Sequence, residues 1–150
     1  MRVRTVLYPF LAILLLPAGF LRAGDDVHTP KPGSEERKAV MDAVRKPVEA
    51  KLKESVMFQA DVLNVGHGHA FAILKPLKAA TRGPIDWASR PEFAEEVAAE
   101  VFSGLIVVLL EQGKNGEWRV LELVWGPSDV CYEPWPGKYK LPEKLFGMGE

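Results

Sequence analysis

Apolar residues recur at four-residue spacing from Val40 through Val44 and Val48 to Leu52, with Met41 alongside, in an otherwise charged stretch. That period puts them on one stripe of an α-helix. Ser34 ahead of Glu35 and Glu36 supplies an N-cap and two acids for the positive helix end, so an amphipathic helix of about 19 residues is predicted. Pro47 lies inside it, removing a backbone donor and crowding the carbonyl of Ala43, which predicts a bend or a split. From Val56 the period changes to two. Val56, Phe58, Ala60 and Val62 alternate with Met57, Gln59 and Asp61, the mark of a strand with one polar face. Gly66 and Gly68 supply a turn, and a second strand runs from His69 to Leu77, with Pro76 holding its far end to a sheet margin.

After a polar loop from Ala79 to Trp87, Ser89 and Glu92 around Pro91 have capping-box spacing. Phe93, Val97 and Val101 then give the stripe of a shorter helix that stops at Gly104. Leu105 to Leu110 are continuously apolar and rich in β-branched residues, which predicts a central strand buried on both faces. Asn115-Gly116 within Gly113-Lys114-Asn115-Gly116 signals a hairpin, with Trp118 to Trp125 as the returning strand. The resulting fold class is α+β: a long N-terminal helix packed on a curved antiparallel sheet of about four strands, plus a short second helix. Residues 34–130 read as one domain. Residues 131–150 hold Pro134, Pro136 and Pro142 among Tyr132, Trp135, Tyr139 and Phe146, and are expected to lie across it.

The chain start changes the picture from fold to address. Arg2 and Arg4, an apolar run from Val6 to Leu16 and a small-residue exit at Ala23 have the order of a cleavable secretory signal peptide. Pro9, Pro17 and the acids Asp25 and Asp26 argue against a membrane anchor, as does a run short of the ~20 residues a spanning helix needs. The cut is placed after Ala23, with Ala18 as the alternative, and the product is expected to be periplasmic or secreted. Residues 24–33 read as a mobile leader. Losing residues 1–23 removes three arginines and no acid, taking the formal charge from −1 to about −4, so no nucleic-acid partner is expected. Cys131 is the single cysteine, which excludes a disulfide within the chain.

Several motifs occur together in order: the run Pro32-Gly33-Ser34-Glu35-Glu36-Arg37-Lys38-Ala39 into Pro47-Val48, then Arg82-Gly83-Pro84-Ile85-Asp86-Trp87, Gly116-Glu117-Trp118-Arg119-Val120 and Gly126-Pro127-Ser128-Asp129-Val130. With these the chain resembles a group of small exported bacterial proteins without assigned activity. The resemblance implies a cystatin-like or nuclear transport factor 2-like fold, a helix cupped by a curved sheet. Where it implies Trp-Ala-Phe after the first turn, this chain has His69-Ala70-Phe71.

Candidate chemistry is sparse. His67 and His69, two apart on an extended chain with Cα atoms about 6.5 Å apart, are candidate metal ligands, set against a simple turn between glycines. Asp61, Asp86 and Asp129 are candidates for a carboxylate base in a helix–sheet pocket, set against capping and surface roles. Trp118 and Trp125 fall on opposite strand faces by parity, so Trp125 and the tail's Trp135 are the candidate partner-binding aromatics. Pro134-Trp135 with Gly33 is similar to the wedge of cysteine-protease inhibitors, but the Gln-x-Val-x-Gly hairpin of that family is missing from Val62-Leu63-Asn64-Val65-Gly66. No phosphate-binding glycine loop, Cys-x-x-Cys, Gly-x-Ser-x-Gly or His-Glu-x-x-His is present, and no cofactor is expected. The leading expectation is a non-enzymatic accessory or binding domain for a protein or small-molecule ligand, with a homodimer through the sheet face as one mode. A small-molecule enzyme is the alternative.

Overall fold

The computed structural model describes residues 26–149. The expected signal peptide and its cut lie outside the described residues. Helix α1 spans Glu35–Leu52, with the Ser34 hydroxyl accepting from the Arg37 amide and Lys53 closing the C-terminus in a left-handed conformation. Its buried residues are Val40, Met41, Val44, Val48 and Leu52, the stripe read from the spacing. It runs through Pro47 without being split.

Four strands follow in sequence order as an antiparallel meander: β1 (Val56–Gly66), β2 (His69–Lys78), β3 (Ile106–Gln112) and β4 (Trp118–Trp125). The β1–β2 turn is His67-Gly68, both with positive φ, as a tight two-residue hairpin requires. Gly66 is therefore the last residue of β1 and not part of the turn. Its lack of a side chain serves another contact, since a Cβ there would lie 2.9 Å from the Cα of Val27. Val27 sits close because His28 pairs with Val65 through two backbone hydrogen bonds of 2.9 and 2.8 Å. Part of the segment expected as a mobile leader thus forms a bridge on the outer edge of β1. At the β3–β4 turn Gly116 takes the left-handed position and its amide bonds the Gly113 carbonyl at 2.9 Å, giving a longer loop than a two-residue Asn-Gly turn.

Two one-residue bulges decide which side chains face where. Ala60 pairs with Leu74 and Val62 with Ile73, so Asp61 is extra. Leu109 pairs with Glu122 and Leu110 with Val120, so Leu121 is extra. Each bulge reverses the alternation beyond it. Val62 consequently leaves the face of Val56, Phe58 and Ala60, where Leu63 and Val65 take over.

Both faces of the sheet are covered. On one, α1 packs across β1 and β4 over a core that includes Leu63, Val65, Leu74, Val108 and Leu110. On the other, the tail folds into helix α3 (Trp135–Tyr139) and a 3-10 turn (Glu143–Phe146). Trp135, Leu145 and Phe146 bury against Phe71, Val107 and Leu109 there. The strand Ile106–Leu110 therefore contributes to two cores, which is why it is continuously apolar.

The link from β2 to β3 holds helix α2, reduced to Ala94–Ala98. Ser89 is not its cap: its amide and hydroxyl bond back to Asp86, and the cap position falls to Phe93, which has no side-chain acceptor. Val101, expected on the buried stripe, is 49% exposed. Phe93 still anchors the segment through an aromatic group with Trp87, Phe102 and Trp125, ring centroids 5.0 to 6.4 Å apart.

Candidate functional site

The three candidate aspartates occupy separate, exposed places. Asp61 is the bulged residue of β1, where a charge on a twisted edge discourages strand addition. Asp86 caps a turn, its carboxylate accepting from the Ser89 amide at 3.3 Å and its carbonyl from the Ser89 hydroxyl at 3.0 Å. Asp129 follows β4 in the loop to the tail. Among the described residues no polar or charged side chain is buried, so nothing there has the desolvated carboxylate a raised-pKa base requires.

The histidines are likewise explained locally. His67 is the first turn residue, and the His69 Nδ1 lies 2.8 Å from the His67 carbonyl. His28 reaches α1 instead, with Nε2 2.8 Å from Glu36 Oε2, and that contact raises its pKa above the usual imidazole value against a smaller opposing effect of burial. No group of three or more His, Cys, Asp or Glu among the described residues is arranged to hold a metal ion. Cys131 is half-buried, which pushes its thiol pKa up and away from reactivity.

The tryptophans differ from their expected placement. The bulge at Leu121 cancels the parity difference, so Trp118 and Trp125 both pack on the α1 side of the sheet. Trp125 sits against Phe93 and Trp87, and Trp135 is 5% exposed within the second core. A partner or second copy approaching the second sheet face would meet the tail, not bare strands.

Trp118 borders open space. Where α1 passes the β3–β4 hairpin, a groove of about 350 Å³ is lined by Asp42, Ala43 and Lys46 from the helix and Gly116, Glu117 and Trp118 from the hairpin. Ala39 and Ala43 leave room on the helix side, and Gly116 does so on the strand side. Asp42 is engaged on its own helix by Lys38 at 2.7 Å and by Arg45. The Lys38 hydrogen bond, with Arg45 behind it, holds the Asp42 carboxyl below the usual carboxylate range. The side chains of Lys46 and Glu117 make no hydrogen bond or ion pair among the described residues. Trp118 thus shares the lining of one groove with a lysine and a glutamate whose side chains are unengaged. A second concavity, about 250 Å³, lies near Trp87 and Phe102, between Pro76 and Gly104, and is lined mainly by apolar groups.

Neither Lys46 nor Glu117 stood out in the sequence, because the pairing of a helix face with a distant hairpin has no local signature. The nearest signal was Ala39, Ala43 and Lys46 at helical spacing beside the apolar stripe, where small residues permit close approach. No helix among the described residues is long and apolar enough to cross a membrane. Compared with protein-family models, curated proteins and solved structures, the chain matches none of them.

Proposed function

We propose that this chain is an exported, non-enzymatic binding protein that holds a small ligand in the groove over Trp118. The observation that carries the reading is the groove itself: Trp118 lines it together with Lys46 of the helix and Glu117 of the hairpin, whose side chains are unengaged. Ligand sites commonly combine an apolar surface with a few converging polar groups, at volumes of roughly 300–1,000 Å³. Export is supported by the basic, apolar and small-residue order of residues 1–23. The scaffold belongs, on this reading, with the cystatin-like and nuclear transport factor 2-like folds. A helix laid across one face of an antiparallel meander supports that placement.

Two measurements test it. Amino-terminal sequencing of the protein recovered outside the cytoplasm should begin at Gly24; an intact Met1 in the cytoplasm would refute export. A panel of small polar metabolites followed by amide NMR should perturb Ala39, Ala43 and Gly116 to Trp118 with no metabolite consumed. Perturbations confined elsewhere, or turnover of the bound compound, would refute the binding reading.

A further inference from the structure

We infer that the ligand of this groove is a small zwitterion, with an ammonium at one end, a carboxylate at the other, and an apolar body laid on the Trp118 indole; this rests on the binding reading above. The charge pattern leads there. The groove carries three charged side chains, but Asp42 is already shared between Lys38 and Arg45. That leaves Lys46 on α1 and Glu117 on the hairpin, opposite in sign and contributed by different parts of the fold. An anionic ligand paired to Lys46 would meet Glu117 as an uncompensated like charge. A cationic ligand paired to Glu117 would meet Lys46, with Lys38 and Arg45 nearby on the same helix. A neutral ligand would offer neither ion an opposite charge. A ligand carrying both signs gives each an opposite charge together with a charge-assisted hydrogen bond. Trp118 lines the same groove, and an indole accepts an apolar or aromatic body and also favours an adjacent ammonium through its ring electrons. At about 350 Å³ the groove admits a body the size of one or two amino-acid residues.

Free amino acids and short unblocked peptides share this chemistry, and the two are separable by experiment. The purified protein would be titrated with L-phenylalanine and with the dipeptide Ala-Phe, each free, N-acetylated and C-amidated, by calorimetry and by the indole N–H resonance of Trp118. Free forms should bind, and blocking either end should weaken binding by about tenfold, the usual scale of one charge-assisted contact. Lys46→Gln should abolish discrimination against the amide while keeping that against the acetyl group; Glu117→Gln should do the reverse. Both positions are exposed, so unchanged circular dichroism is expected for each variant. Tighter binding of the amino acid identifies a free metabolite, and tighter binding of the dipeptide identifies a peptide. Equal binding of blocked and free forms would overturn the zwitterion while leaving the groove a binding site. Silence of Trp118 toward every probe would also overturn it, and the broader reading falls only if the metabolite panel leaves the groove silent too.

Discussion

Single residues carry most of what distinguishes this fold from its sequence pattern. Gly126 has φ 57° and a Cβ there would overlap the Phe102 ring, while its amide and carbonyl tie Leu105 and Ser103 to the end of β4. Gly126→Ala should therefore cost more than about 2 kcal/mol in denaturant unfolding, through both backbone strain and overpacking. Gly66→Ala acts differently: its backbone is unstrained, but the added methyl would press on Val27. A loss of about 1–2 kcal/mol is expected, with enhanced amide exchange at His28 and Val65. Asp61 and Leu121 show the limit of reading alternation. A bulge adds one residue with no compositional mark, so parity beyond it inverts, and Trp118 and Trp125 end on one face although seven residues apart.

At the scale of elements, α1 and the strand positions were legible because their apolar residues repeat at the helical or extended period over many residues. Helix α2 was not. Its capping-box spacing was real, but Ser89 had a closer partner in Asp86, and only one turn formed. The tail was legible as aromatic, yet its docking rests on groups far apart in sequence: Glu122 on β4 is bonded by Lys138 and Tyr139 of α3. Those bonds, Lys138 first, hold the Glu122 carboxyl below its ordinary value. A depressed folded pKa means stability present above the unfolded value of about 4.3 and lost as pH falls through the folded one. The tail should loosen first in acid, visible as rising Trp135 exposure below about pH 4, and Glu122→Gln should flatten that dependence. Trp135→Ala, which opens the second core itself, should cost about 3–5 kcal/mol at neutral pH. His28 has the opposite sign. Its raised pKa gives a contribution fully present below about 6.5 and lost as pH rises through the folded value, small because the ring is 45% exposed. Its imidazole resonances should titrate above the usual midpoint, and Glu36→Gln should lower that midpoint.

For the molecule as a whole, the sheet is a shared wall between two cores, one closed by α1 and one by the tail. That arrangement leaves the candidate aspartates and both candidate histidines outside the two cores and takes Trp135 inside. The seam between α1 and the β3–β4 hairpin is assembled from residues seventy or more positions apart and so is invisible to local pattern. The four tryptophans allow a direct test of that seam. In a proton–nitrogen NMR titration of the purified protein with a small zwitterion, the indole N–H signal of Trp118 should shift progressively while those of Trp87, Trp125 and Trp135 stay fixed. A saturable shift of Trp87 or Trp125 with Trp118 unmoved would place recognition at the aromatic concavity beside α2 and contradict the assignment made for the groove.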